Sequence, residues 1–338
     1  MKKLKGLMSF VLSLILVASS GLTAFAADDE ASNLAAEPST KVVVQYLLDA
    51  GYSMDFIEAI DDTVRLKLYE GQYTHESTTK TYGVFTEDYQ VEYTLSDDGA
   101  IVIDDENVRI FEHILGEDSL VEKILTDKAM DVGSRTEAAV PKNEIQKVEA
   151  MPVEQAILAL SNWTASITCS HRSYSGGVAR KYLTYTWKWE YAPSWTLTDK
   201  VAMAWSGDFT AEPNTIYWTY KKNVGFTGSD VYVDYINENG YGYDDYNPNA
   251  GCAKGINIRG TIAGTYNRYH TGTLSAQMTK VTSTNSRESA IGRYYHQRIS
   301  LSGLSLSFSK SGPSIGVSAG FNYDQSSDSA TAFWATSN

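Results

Sequence analysis

The feature that most restricts how this chain can fold is a period-two alternation of large and polar residues, clearest over 182–191. There Leu183, Tyr185, Trp187, Trp189 and Tyr191 share one side while Thr184, Thr186, Lys188 and Glu190 share the other. A strand is the backbone that puts alternate residues on opposite faces, and a sheet with one buried and one wet face sorts them this way. Comparable short runs occur at 165–170, 200–205, 215–220, 231–236, 255–262, 273–281, 297–308 and 314–323. Turn-forming residues separate many of them: Ser175-Gly176-Gly177, Glu212-Pro213-Asn214, Asn239-Gly240, Asn249-Ala250-Gly251 and Ser311-Gly312-Pro313. The spacing predicts an antiparallel β-sandwich or barrel over residues 151–338, and no fixed-period repeat suggests a propeller or solenoid.

Charge divides the chain near residue 150. Residues 27–150 carry 28 acids and 10 bases, whereas residues 151–338 carry 13 acids and 15 bases together with all seven tryptophans. A two-part organisation follows, with 131–150, which lacks sustained periodicity, as the linker. The overall charge of −13 argues against nucleic acid as a partner, because phosphate binding requires a basic footprint.

The first 26 residues read as a secretory signal peptide. Lys2, Lys3 and Lys5 precede an apolar run over 7–17, and Ala24-Phe25-Ala26 supplies small residues for cleavage. The run is shorter than the roughly 18 residues of a spanning helix, and no later segment qualifies, so export without a transmembrane helix is expected. Residues 27–40 read as a disordered tail. In the acidic region 41–130, three short helices begin at Thr40, Ser53 and Asp62 and stop at Gly51 and Gly71. Strands at 81–86, 89–95 and 100–103 follow, the last two joined by the hairpin turn Ser96-Asp97-Asp98-Gly99; 107–115 suits strand or helix, and 119–130 suits a helix.

Motifs for catalysis are thin. Gly312-Pro313-Ser314-Ile315-Gly316 fits the G-x-S-x-G pattern, yet no histidine follows it and the next residues alternate as a strand. The five histidines are dispersed, and Cys169-Ser170-His171 with Cys252 lacks zinc-site spacing. Glu190, Asp199, Asp208 and Glu212 could supply a glycosidase pair, which leaves a secreted hydrolase as the weakest reading. In an exported chain Cys169 and Cys252 could form a disulfide worth about 4 kcal/mol on the chain-entropy account; two buried thiols are the alternative.

Binding has more to recommend it. Between 230 and 251, Tyr232, Tyr235, Tyr241, Tyr243 and Tyr246 interleave with acids and no base. The rings could stack on sugars, and Asp234, Asp244 and Asp245 could hold calcium, although no EF-hand register fits. Residues 251–323 hold eight Lys and Arg against Glu288 alone, an excess that could meet the acidic first part or an anionic surface. The tract 297–323 alternates serine with apolar residues in two arms, each approaching the roughly 9 to 11 residues of a membrane strand.

On 47–71 and 195–209, with its helical start and aromatic-rich β part, the chain resembles secreted proteins of Gram-positive bacteria that have no assigned activity. The resemblance implies export and this order of parts; it carries no site residue and no cofactor. The preferred reading is a secreted, non-catalytic β-sandwich that binds an extracellular ligand or surface, and the alternative is a β-pore-forming protein using 297–323. Because Ser314 has no downstream histidine, Ser314→Ala should leave any esterase turnover of the purified protein unchanged, as measured with a chromogenic ester.

Overall fold

The computed structural model describes residues 38–86, 89–96, 98–131, 142–172, 180–190, 198–206, 208–226, 232–258, 265–280, 287–297, 305–309, 314–318, 323–325 and 329–335. The expected signal peptide and the tail up to residue 37 lie outside them. The described chain starts with α1 (Thr40–Asp49), α2 (Met54–Ala59) and α3 (Asp62–Glu70). The Ser53 hydroxyl accepts from the Phe56 amide at 3.3 Å, and Asp61, one residue before the expected Asp62, accepts from Val64 at 2.9 Å. Ser39 precedes α1 without a side-chain cap. Gly51, at φ 91°, makes the left-handed turn that lets α1 stop. Four further helices are α4 (Asp105–Leu115), α5 (Asp118–Asp131), α6 (Lys142–Glu149) and α7 (Val153–Leu160). The ambiguous stretch 107–115 is therefore helical, and its buried Phe111 and Ile114 stand at the three-residue spacing of one helix face.

The strands are β1 (Thr74–Phe85), β2 (Gln90–Leu95), β3 (Ile101–Val102), β4 (Trp163–Arg172), β5 (Arg180–Trp189), β6 (Thr198–Trp205), β7 (Phe209–Ala211), β8 (Tyr217–Phe226) and β9 (Tyr232–Tyr241). They continue with β10 (Asp245–Asn247), β11 (Gly251–Asn257), β12 (Thr265–Lys280), β13 (Arg287–Gln297), β14 (Ser305–Ser309), β15 (Ser314–Ser318), β16 (Tyr323–Gln325) and β17 (Ser329–Ala335). All their pairings are antiparallel. A nine-stranded sheet has the order β3-β2-β1-β4-β5-β12-β8-β9 with β7 beside β12, and a six-stranded sheet has the order β10-β11-β6-β13-β16 with β17 beside β13.

One apolar core joins the two sheets. Trp163, Ile167, Tyr185, Trp187 and Trp189 of the large sheet meet Val201, Met203, Trp205, Ile256 and Tyr294 of the small one, all of them buried. This is the buried face that the alternation at 182–191 requires, and each such side chain contributes roughly 1.5–3 kcal/mol on burial. The outer face of the large sheet is covered in two places. Helices α1–α3 set Val43, Leu47, Phe56, Ile57, Val64 and Leu68 against Tyr73, Tyr182 and Tyr217, while α4–α7 cluster with Val84, Val91 and Tyr93.

The boundary expected near residue 150 is not a break in the fold. β1 pairs with β4 from Thr74↔His171 to Gly83↔Trp163, so the acidic part and the aromatic part share one sheet. Residues 142–149 of the expected linker 131–150 are α6, whose Ile145 and Val148 are buried with the other helices of that cluster. Charge composition tracks the surface each segment shows to water, and hydrogen-bonded pairing ignores it. The Asn239-Gly240 turn is also absent: β9 runs through to Tyr241, with Asn239 and Gly240 paired to Thr219 and Trp218 of β8. The corner comes at Gly242, φ 125°.

A chain beginning at Met151 therefore loses β1–β3, turns β4 into an edge and removes Glu76, which pairs with the buried Lys181. Such a fragment should show no cooperative thermal transition by near-ultraviolet circular dichroism; a sharp transition would mean that the second part is autonomous after all.

Candidate functional site

The residues singled out in the sequence do not converge. Tyr232 begins β9 and its ring lies outside the described residues, while Tyr235 and Tyr241 of the same strand are exposed. Tyr241 packs against Tyr217 at 5.2 Å between ring centres, and the Lys67 ammonium lies 4.4 Å above its ring. Tyr243 stacks on Tyr246 at 4.5 Å, and the Tyr246 hydroxyl donates to the Ala211 carbonyl at 2.7 Å. Burial raises the Tyr246 pKa to about 12, so the phenol stays protonated. These rings spend faces on one another and on a cation, which leaves less of them to offer a sugar.

The three candidate calcium ligands are likewise dispersed. Asp234 accepts from the Asn223 amide at 2.9 Å, Asp244 takes Lys254 at 2.9 Å and the Gly255 amide at 2.6 Å, and Asp245 takes Lys200 at 2.7 Å. Asp244 and Asp245 are chain neighbours with different lysine partners, one on β11 and one on β6. Among the described residues no group of three metal-ligating side chains forms. Nor do the cysteines bond: Cys169 on β4 and Cys252 on β11 are separate buried thiols on different sheets. Burial raises the pKa of both, so they are unreactive.

The four carboxylates considered for hydrolysis scatter as well. Glu190 pairs with Lys188 at 2.7 Å, Glu212 accepts from the Thr279 hydroxyl at 2.8 Å, and Asp199 is buried in the core. Asp208 precedes β7. Ser314 opens strand β15, so it does not stand at the strand-to-helix turn that a nucleophile elbow needs.

What the fold does build is a groove on the outer face of the large sheet, with a volume of about 740 Å³. Strand register lays its floor in rows. One row runs Tyr82, Thr164, Lys188, Thr271 and Lys221 across β1, β4, β5, β12 and β8; beside it lie Lys80, Ser166 and Thr186, whose register continues beyond the groove into the buried Thr273 and Thr219. Hydroxyls link neighbouring strands, with Ser166 to Thr186 at 2.8 Å and Thr78 to Thr168 at 2.8 Å. Helix α2 forms a wall with Ser53, Asp55, Phe56 and Glu58. The groove exists because the two helical groups leave this part of the sheet uncovered; of the polar positions of the alternation, Lys188 and Glu190 are wet there, while Thr184 and Thr186, expected on the wet face, are buried.

Charges in the groove are mostly neutralised locally. Lys80 meets Asp55 at 3.4 Å and lies 5.2 Å from the Tyr82 ring centre, while Lys188, besides Glu190, lies 5.5 Å from that of Tyr269. Tyr82 is stacked on Tyr93 at 5.3 Å. Such a surface offers donors and acceptors with little net field. The sequence displayed some of its parts, Thr186, Lys188 and Glu190 among them, but the groove joins residues from five strands and only pairing brings them together.

Directly behind the Thr271 row lies a buried basic pair. His270 and Lys222 are partners across β12 and β8, both fully buried, and the Tyr220 hydroxyl lies 2.9 Å from His270 Nδ1. Burial, with the Lys222 charge adding to it, lowers the His270 pKa to about 3. Lys222 is lowered by burial alone. Taken together, these features define a two-sheet antiparallel β protein with an open, hydroxyl-lined groove and a desolvated basic pair behind its floor. No family model, curated protein or solved structure matches the chain.

The histidine has a pH consequence. Its folded pKa lies below the unfolded value of about 6.5, so the unfolded chain binds more protons between the two. Its contribution is fully present above about pH 6.5 and declines as pH falls toward about 3, at up to roughly 1.4 kcal/mol per unit. Thermal melting from pH 7 to 4 should therefore drop more steeply for the native chain than for His270→Phe; parallel curves would show that His270 does not report this burial.

Proposed function

We propose that this protein is exported and binds a neutral, polyhydroxylated extracellular ligand, a glycan, in the groove without converting it. The carrying observation is the cross-strand array of hydroxyls, Thr164, Ser166, Thr186 and Thr271, beside Lys188 and Lys221. A hydroxyl both donates and accepts, so such an array can match sugar hydroxyls in either sense. An extended floor five strands wide suits an oligosaccharide better than a compact metabolite. The lysines Lys80 and Lys188, already facing Asp55 and Glu190, leave little field to select an anionic chain. Export rests on the lysine-led apolar segment over 1–26 and its Ala24-Phe25-Ala26 end.

Glycan-array screening followed by calorimetry tests this. Thr164→Val and Thr271→Val keep β-branched shape and remove one hydroxyl each, so each should weaken a bound glycan by about five- to tenfold, roughly 1 kcal/mol per hydrogen bond, with little change in melting temperature. Affinity should hold between low and high salt, as expected for a neutral ligand. A protein that binds no glycan, or one whose binding collapses with salt, would refute the reading.

A further inference from the structure

The groove is built wholly of described residues, whereas 298–304, 310–313 and 319–322 of the expected membrane tract lie outside them. Its row of polar side chains runs between two aromatic rings. Tyr82 opens the row on β1, and Tyr269 of β12 stands two residues before Thr271, on the same outer face and in the same groove. From β1 through β4 and β5 to β12 there are three strand spacings, about 14 Å in all, and the step from Thr271 to Tyr269 adds about 6.6 Å along the strand. The two ring-bearing positions are therefore about 16 Å apart.

Both rings are held before any ligand arrives. Tyr93 backs one face of Tyr82 at 5.3 Å, and the Lys188 ammonium lies 5.5 Å from the centre of Tyr269. Each ring is half-buried and keeps part of its surface in the groove. Between them Thr164 on β4, Lys188 on β5 and Thr271 on β12 supply one polar side chain per strand. A ligand lying across the strands thus meets a polar group at every strand it crosses, with an apolar platform near each end.

We infer that the groove takes an extended, equatorially linked oligosaccharide, laid across the strands with one sugar on Tyr82 and another on Tyr269; this rests on the glycan reading above and adds the length and linkage of the chain. An equatorially linked pyranose chain is a ribbon that advances by about one strand spacing per sugar, so rings about 16 Å apart fall to the first and fourth of four residues. Its sugars turn C–H faces to the aromatic platforms and hydroxyls to the polar row. An axially linked chain curls away from one ring or from the row. A disaccharide reaches one platform only.

Calorimetry with cello- and chito-oligosaccharides of two to six sugars, and with malto-oligosaccharides of the same lengths, tests the inference. In the better-bound equatorial series, affinity should rise at least about tenfold from disaccharide to tetrasaccharide as the second ring is engaged, and by less than about twofold beyond five sugars. Malto-oligosaccharides of equal length should bind at least about tenfold more weakly. Tyr269→Ala should weaken the tetrasaccharide by about tenfold and the disaccharide by no more than about twofold, while Tyr269→Phe, which keeps the ring, should match the native protein. The length series uses the native chain, so it decides even where Tyr269→Ala does not fold. Absence of binding by every glycan removes the groove reading and this inference with it. Where a glycan binds, a disaccharide held as tightly as the tetrasaccharide, a malto series equal to the equatorial ones, or binding by neither equatorial series overturns this inference and leaves the groove reading standing.

Discussion

The fold turns on a carboxylate buried between two sheets. Asp199 of β6 has no solvent exposure, and it accepts hydrogen bonds from the Tyr294 hydroxyl and, at 2.9 Å, from His296 Nδ1 on β13. A buried charge costs several kcal/mol unless its lone pairs are occupied, so β6 and β13 must keep the register that delivers both donors. Those donors in turn carry the aromatic packing. Tyr294 lies 5.0 Å from Trp187, 6.0 Å from Trp189 and 6.4 Å from Trp163, and His296 lies 5.7 Å from Trp189. Thus the ring that holds the carboxylate is also the one on which three tryptophans of the opposite sheet converge. Burial and the adjacent Asp199 charge hold the Tyr294 phenol far above its ordinary pKa, which keeps it a donor.

Close approach is the second requirement of that core. A side chain at Gly272 would collide with Trp187, and one at Gly292 with Tyr185, so each large ring sits over a bare stretch of backbone. With the inner faces filled by rings, the outer faces carry the rest of the protein's chemistry. On the large sheet the uncovered outer face is the hydroxyl floor of the groove; on the small sheet it is the alanine strip beneath β14 and β15.

Much of the fold was legible because it is local. Alternation at 182–191 marks a strand with an aromatic buried face, although Thr184 and Thr186 on its other face are buried as well, and Ser53 and Gly51 have one strong backbone use each. The candidate site was far less legible. Tyr243 and Tyr246 are close in sequence and do stack, yet Asp244 and Asp245 turned to lysines on other strands, which no spacing rule foretells. Thr271 and Thr164 are groove neighbours through Lys188, although more than a hundred positions separate them in the chain.

By itself the sequence determined that the second part is made of antiparallel strands with an aromatic buried face, and where the first three helices begin and end to within a residue or two, since these follow from the period of two, the caps and the turns. Tertiary structure alone decided that β1 joins β4 across a sharp change in charge, that Cys169 and Cys252 stay apart, and that β13 pairs with β16 at Gln297↔Tyr323. Pairing is the reason. Hydrogen bonds between strands are the same for every residue type, so which strand lies beside which is settled by how the whole set of side chains fills a common core, a property that no local pattern contains.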